Sequence, residues 1–379
     1  DVCDTISNTY NSNAQQVVLI NTSDVLEGKV LNHIYIPNEN LKGQFKKTFE
    51  EGDILYSEIR PQNKRYAYID FAPINYIAST KLMVIRNKNI VKSKYLYYFL
   101  QSDKIISELQ MLAETRSGTF PQITFNELSK LSIKIPPLPE QDRIISILDS
   151  ICKKIDINQQ INDNLEEQAK ALFNHYFIQN TENLGEWQDG VLTDIAQYLN
   201  GLAMQKYPAM PNEAGLPVLK IKELGQGQCD TNSDRCSSLI KPEYIISDGT
   251  IIFSWSGTLL VDIWCGGKCG LNQHLFKVSS AKYPQWFVFY WTKHHLNKFI
   301  RIAKDKAVTM GHIKRCDLEI SKVKIPSKQA LVNLDKLFSP IFNRMVTCRI
   351  ENRKLSSLRD TLLPKLMSGE ISVEEVSLD

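Results

Sequence analysis

The 379-residue sequence has no long apolar run, and no stretch approaches the roughly 18 apolar residues of a membrane span. No signal-like apolar segment follows Asp1, so we expect a cytoplasmic protein. The eight cysteines are scattered and lack the dense pattern of a small secreted domain, which favours reduced thiols. The net charge of +3 is too small to indicate a nucleic-acid partner by itself, so that case depends on where the charge lies.

The common catalytic motifs are also missing: there is no G-x-x-x-x-G-K-[ST], no G-x-G-x-x-G after a strand, no H-E-x-x-H and no G-x-S-x-G. The six histidines show no spacing that singles out a catalytic triad. His294 and His295 are adjacent, so on a helix they diverge by about 100° and do not form a two-ligand face. The sequence therefore does not predict an enzyme.

Four cysteines of the second half are a candidate zinc site, with His274 as a further ligand. They are Cys229, Cys236, Cys265 and Cys269. Their C-x6-C and C-x3-C spacings fit zinc loosely, because only the second is a usual knuckle spacing. The first half has no corresponding set. We therefore interpret these cysteines as structural and predict no metal, with zinc as the alternative.

Two long helices are the strongest structural signal. In each, apolar residues and asparagines recur at alternating spacings of four and three, which is typical of a coiled-coil seam. The first helix should be roughly 35 residues, or about 50 Å, long. The seam of the first helix contains Ile144, Leu148, Ile151, Ile155, Asn158, Asn162, Leu165 and Leu172, and that of the second contains Phe338, Ile341, Met345, Asn352, Leu355 and Leu362.

The second half of the chain repeats the first. A shift of 190 positions aligns residues 119–136 with residues 309–326 and also aligns the two seams. GDILYS, from Gly52, resembles GTIIFS, from Gly249. The chain is therefore interpreted as a tandem duplication. The first half has no counterpart of residues 187–193, so we expect several native residues before Asp1.

Each half should be a mixed α/β domain of about 130 residues followed by one long helix. In the first half, the composition predicts strands at residues 15–20, 53–59 and 81–86 and a short strand at 130–135. Residues 94–112 have helical periodicity.

A basic loop is the clearest functional signal of the first half. Residues 59–68 contain three cations and no acid. Arg, Asn and Gln side chains match base edges in the major groove, whereas Lys suits phosphates. The residues of this loop that we predict to contact DNA are Arg60, Gln62, Asn63, Lys64, Arg65 and Tyr66.

A second type of loop, LAETRSGTFPQ in the first half and AKDKAVTMGH in the second, combines cations with small residues. It follows a predicted helix in each half, and backbone amides and hydroxyls beside a cation suit a phosphate. Residues 293–324 add nine Lys or Arg against three acids. The predicted DNA contacts here are Arg116, Ser117, Thr119, Lys304, Lys306 and His312. The alternative for all these clusters is an ordinary solvated surface.

Several longer motifs occur in a fixed order: SGTFPQI, then L-x-x-L-x-I-x-I-P-P-L-x-E-Q and a long helix, with LRDTLLPKLMSGEI near the end. GDILYSEIRPQNKRYAY and IIFSWSGTLLVDIW stand at matching places in the two halves. With these motifs, essentially the whole chain resembles the DNA-specificity subunit of type I restriction-modification systems.

The resemblance implies an α+β fold with two tandem target-recognition domains. Each would read one half of a split double-stranded DNA target, and the two helices would pack as an antiparallel coiled-coil spacer in a pseudo-twofold repeat. The expected boundaries are 1–137 for the first domain, 138–178 for its helix, 179–186 for a linker, 187–326 for the second domain, and 327–379 for the second helix and C-terminal tail.

The resemblance also implies that this chain has no catalysis and binds no cofactor. Two methylation subunits, which use S-adenosylmethionine for N6-adenine methylation, and restriction subunits, which use ATP and Mg, would assemble on it. The alternative is a coiled-coil scaffold that joins two protein-binding modules. A stand-alone nuclease or zinc enzyme is the third reading.

Overall fold

The computed structural model describes residues 2–39, 41, 43–115, 120–179, 187–305 and 311–375. Contacts group the chain into two compact units. The first unit is Asp1–Lys153 with Ser356–Asp379, and the second is Lys154–Leu355. The division falls inside both long helices, so each unit contains a globular part and a segment of each helix.

The first unit contains two four-stranded sheets. One, in the order β1-β10-β7-β8, is antiparallel, and the other, in the order β5-β2-β9-β6, contains the parallel pair β2 and β9. β2, β7 and β10 are the strands predicted at 15–20, 53–59 and 81–86. The strands are β1 (Cys3–Ile6), β2 (Gln16–Ile20), β3 (Val25–Leu26), β4 (Lys29–Val30), β5 (Ile36–Pro37), β6 (Phe45–Lys47), β7 (Ile54–Ser57), β8 (Tyr66–Tyr68), β9 (Tyr76–Ser79) and β10 (Leu82–Asn87).

Three short helices complete this unit: α1 (Ser93–Gln101), α2 (Asp103–Glu114) and α3 (Phe125–Leu128). The predicted helical stretch 94–112 is two helices, because Ser102 has extended backbone between them. Their apolar faces form one core with the first sheet and with Leu148 and Leu363 of the long helices.

The second unit has the same plan. Its sheets have the orders β12-β19-β16-β17 and β14-β13-β18-β15, and β13 and β18 are again parallel. The strands are β11 (Gln188–Val191), β12 (Gln197–Asn200), β13 (Leu216–Leu219), β14 (Arg235–Cys236), β15 (Ile245–Ile246), β16 (Thr250–Ser254), β17 (Leu260–Trp264), β18 (Cys269–Leu271), β19 (Leu275–Ser279) and β20 (Lys322–Ile325). The helices of its globular part are α5 (Leu192–Ile195), α6 (Ile221–Gln226), α7 (Gln285–Asp305) and α8 (Arg315–Glu319).

Local details repeat along with the strand order. Gly52 and Gly249 stand just before β7 and β16, and both have left-handed backbone, with φ of 89° and 82°. Only glycine adopts such angles freely. The matched strand orders and turns agree with the tandem duplication inferred from the sequence.

The short strand predicted at 130–135 is absent. In the second unit its counterpart, β20, pairs with β11. In the described part of the first unit no strand lies beside residues 130–135, which are irregular. Because a strand needs a hydrogen-bonding partner, the composition of residues 130–135 was not sufficient to make them a strand.

The long helices are α4 (Leu138–Phe173), of 36 residues, and α9 (Lys328–Ser368), of 41 residues. A π-helical turn, Asn174–Gln179, continues α4. At 1.5 Å per residue they are about 54 Å and about 62 Å long. Across the described ranges, no helix is long and apolar enough to cross a membrane.

Candidate nucleic-acid interface

The basic loop of the first unit connects β7 to β8 through a 3-10 turn, Pro61–Asn63. The Arg60 amide donates to the Pro121 carbonyl at 3.1 Å. The Gln62 amide donates to Gln110 Oε1, on α2, at 3.2 Å. These bonds hold the loop against α2 and against the segment after residues 116–119. Arg116, Ser117 and Thr119 lie outside the described residues.

The three cations of this loop are in different situations. Lys64 Nζ lies 3.0 Å from Asp103 Oδ1. The Arg65 guanidinium donates to the carbonyls of Ser23 and Val25 at 3.1 and 3.3 Å. Arg60 is exposed, and its guanidinium lies 5.7 Å from the centre of the Phe120 ring. Within the described ranges its side chain has neither a hydrogen bond nor an ion pair.

The other predicted contacts of this loop divide by exposure. Gln62 and Asn63 are exposed and stay predicted contacts. Tyr66, which was expected at the surface, is only 5% exposed. It stacks on Tyr56 at 5.8 Å, and burial raises its pKa above the ordinary range. The first residue of β8 faces the core, so Tyr66 contributes to packing.

The second unit repeats the hydrogen bonds of this loop. In the first unit Ile123 donates to the Glu58 carbonyl at 2.8 Å, and Arg60 donates to Pro121. In the second, Ile313 donates to the Trp255 carbonyl, and Gly257 to the Gly311 carbonyl, each at 3.1 Å. A buried serine also ends the preceding strand in both units.

Those serines fix the start of each loop. Ser57 Oγ donates to the Ile59 carbonyl at 3.3 Å, and Ser254 Oγ donates to the Ser256 carbonyl at 3.2 Å. Each unit therefore has the same pair of adjoining loops, which we call the recognition edge: residues 58–65 and 120–122 in the first unit, and residues 255–257 and 311–312 in the second.

The second recognition edge contains the aromatic rings of Trp255 and His312 and no Lys, Arg, Asp or Glu. The half-buried Trp255 ring lies 6.1 Å from His274 and 6.2 Å from His312, and its Nε1 donates to Asn200 Oδ1 at 3.0 Å. Ser256 Oγ is 3.0 Å from His274 Nδ1. Trp255 and Asn200 carry no charge that would mark them in the sequence, although the alignment of GTIIFS with GDILYS places Trp255 at the start of the loop.

The predicted contacts of the second half lie partly at this edge. The exposed His312 forms a β-bridge with Ser256, and Lys304 is exposed near the end of α7. Lys306 lies outside the described residues. Several other cations of residues 293–324 have internal partners: Lys293 pairs with Glu166, and Lys324 lies 2.7 Å from Asp189. The basic run is therefore less available than its charge indicated.

Of the two adjacent histidines of α7, His295 has a structural role. His295 Nε2 donates to the Lys322 carbonyl at 2.8 Å, and its ring stacks near Trp291. The pKa of His295 is lowered to about 4, mainly by burial; the hydrogen bond to the Lys322 carbonyl opposes this shift, and the charges of His294 and Lys298 add to it. The neutral imidazole therefore joins α7 to β20.

This histidine predicts acid sensitivity of the second unit. An unfolded imidazole has a pKa of about 6.5, so below that pH the unfolded chain binds a proton that folded His295 does not. Its contribution to the unfolding free energy should fall as the pH drops from 6.5 towards 4 and level off below 4. Unfolding midpoints at pH 7 and 5 should differ less for His295→Gln than for the wild type. Equal pH dependence would contradict the role.

The four cysteines do not form one cluster. Cys236, Cys265 and Cys269 are buried in three different apolar clusters, and Cys229 packs beside Cys269. Burial raises the thiol pKa of Cys229 and of Cys265 to about 11, which opposes the thiolate that a metal requires. In the described ranges, no group of three or more His, Cys, Asp or Glu residues is arranged to hold a metal ion.

The seam residues are all buried or half-buried. In the second unit, Asn158 Nδ2 donates to Glu351 Oε2 at 2.8 Å and to Asn352 Oδ1 at 2.9 Å. Asn352 Nδ2 donates to the Ile155 carbonyl at 3.1 Å. Asn158 is 0% and Asn162 4% exposed, so neither is at a solvated edge. Buried polar pairs of this kind restrict helix register.

The sequence and the fold are similar to those of known proteins. The family model described as "Type I restriction modification DNA specificity domain" matches residues 5–167. The type I restriction enzyme HindI specificity subunit of Haemophilus influenzae is 29% identical, over 98% of each chain. The first part of the chain is therefore similar to a DNA-specificity domain, and nearly the whole chain is similar in sequence to a type I specificity subunit.

Further specificity subunits are similar to this chain. The MjaIX specificity subunit of Methanocaldococcus jannaschii is 27% identical over 80% of this chain and 77% of its own. The solved S subunit of a type I system from M. genitalium has a TM-score of 0.52 at 16% identity, covering 97% of this chain and 94% of its own. That likeness is one of fold.

Proposed function

We propose that this chain is a specificity subunit and reads a bipartite double-stranded DNA target, one half with each recognition edge. The helices α4 and α9 would form an antiparallel coiled-coil spacer that sets the gap between the half-sites. The observation that carries the proposal is the repeated pair of loops, held by the same hydrogen bonds but with different side chains.

Different side chains on one scaffold favour two different half-sites. The first edge offers Arg60, Gln62 and Asn63, which can hydrogen-bond to bases and phosphates. The second offers Trp255 and His312, whose rings suit apolar contact with bases and a single directed hydrogen bond. Because each loop follows a buried strand, its side chains are presented from a rigid support.

The proposed partners rest on the similarity to type I specificity subunits. We propose that the chain binds DNA and two methylation subunits that use S-adenosylmethionine for N6-adenine methylation, and that restriction subunits using ATP and Mg assemble on the same complex. The chain itself would supply recognition without catalysis or a cofactor.

The test is the target recovered from a random DNA pool by the chain with its methylation subunits. Methylation should enrich a split motif with a fixed gap. Binding should also weaken steeply as salt rises, because phosphate contacts release counterions. An unsplit motif, or none, would contradict the proposal. Salt-insensitive assembly with proteins but not DNA would favour the scaffold alternative.

A further inference from the structure

We infer that Arg60 is the base-reading residue of the first recognition edge and that it contacts a guanine in the first half-site. The inference rests on the proposed function and deepens it by naming one side chain and one base. Three observations carry it: the backbone at Arg60, the lack of polar partners for its side chain among the described residues, and the ring beside it.

The backbone at Arg60 is left-handed, with φ of 45° and ψ of 76°. The hydrogen-bond pattern makes Gly257 its counterpart in the second unit, where φ is 64°. Glycine is the residue that adopts this conformation without strain. The first unit therefore has a large side chain where the shared loop favours glycine, and such strain is concentrated at functional positions.

The cation of Arg60 is not used to hold the loop. Lys64 is ion-paired with Asp103, and the Arg65 guanidinium is hydrogen-bonded to two carbonyls, so both stabilise the fold. Among the described residues, the guanidinium of Arg60 has no hydrogen bond or ion pair, and the Phe120 ring lies beside it. Arg60 therefore differs from Lys64 and Arg65, whose cations have polar partners within the described ranges.

The Phe120 ring limits the directions in which the Arg60 guanidinium can point. Phe120 is 55% exposed, and a guanidinium 5.7 Å from a ring centre is within cation–π range. A phosphate can be reached by a mobile lysine, but a planar fork held in one direction suits the O6 and N7 atoms of guanine. The combination therefore favours base reading over a phosphate contact.

The experiment compares Arg60→Gly, Arg60→Lys and Asn89→Gly in the full chain with its methylation subunits on a randomised duplex pool. Asn89→Gly is the matched control, because Asn89 is also exposed and left-handed, with φ of 61°, but lies outside the recognition edge. Both Arg60 variants should lose about 10- to 100-fold discrimination at one G·C pair of the first half-site. The second half-site should not change, and Asn89→Gly should keep the complete motif.

A second measurement separates recognition from folding. Arg60→Gly should unfold at the same temperature as the wild type or higher, because glycine relieves the left-handed backbone. Full activity of Arg60→Lys, an unchanged motif in Arg60→Gly, or equal loss at both half-sites would overturn the inference while the bipartite target of the wild type stands. A wild-type complex without a split target would overturn the proposed function, and this inference with it.

Discussion

Replacing Trp286 with alanine should lower the unfolding free energy of the second unit by about 3–5 kcal/mol, the usual cost of deleting a buried large aromatic side chain. Trp286 is on α7 and is 1% exposed. Its ring stacks on Phe338 of α9 at 4.3 Å with an interplanar angle of 11°, and its Nε1 donates to Asp335 Oδ1 at 2.7 Å. The substitution removes the stacking and leaves Asp335 without this donor.

Denaturant unfolding of Trp286→Ala measures this effect, and Trp286→Phe divides it. Phenylalanine can keep part of the stacking on Phe338 but cannot donate to Asp335, so its cost should be intermediate. Little change in Trp286→Ala would contradict the packing argument, because relaxation of a close-packed core is limited.

Trp255 is the matched control within the same unit. It is half-buried at the recognition edge, and its Nε1 bond to Asn200 is exposed. Trp255→Ala should therefore cost about 1 kcal/mol or less, as surface substitutions do. It should nevertheless weaken reading of the second half-site. Comparing the two variants distinguishes a tryptophan that stabilises the second unit, Trp286, from one that is expected to contact DNA, Trp255.

The long helices were predictable because their signal is local. Spacings of four and three place Leu148 on the apolar stripe of α4 and Phe338 on that of α9. Both residues are 0% exposed. The helix ends were also close to the predicted limits, since prolines and polar segments interrupt the pattern. The strand order of the units was not predictable, because pairing such as β2 with β9 joins distant residues.

The recognition edges were predictable only in part, for the same reason. Charge marked the loop that contains Arg60, but nothing near Lys64 or Arg65 in sequence reveals that Asp103 and the Ser23 carbonyl hold them. Tyr66 directly follows Lys64 and Arg65, as a residue of an exposed loop would, yet its strand turns it inward. Trp255 has no charge that marks it in the sequence; matching backbone hydrogen bonds show that it occupies the place of Glu58.

Deleting one heptad from each long helix should shorten the gap of the DNA target by about three base pairs. Seven residues remove about 10.5 Å of rise, and one base pair occupies about 3.4 Å. In the proposed coiled coil, residues 151–157 lie opposite residues 354–360. Removing both stretches keeps the spacing of four and three and retains the pair of Asn158 and Asn352.

The shortened target should also be bound more weakly than the natural one. Three base pairs turn the DNA by about 100°, whereas a heptad leaves the face of a helix nearly unchanged. The recognition edges then meet half-sites that are out of rotational phase, and the DNA must twist to restore contact. A random pool read by methylation should give the new gap at reduced yield. The same deletion in α9 alone should abolish recognition, because it misaligns the seams. If the double deletion kept the original gap, the helices would not set the spacing.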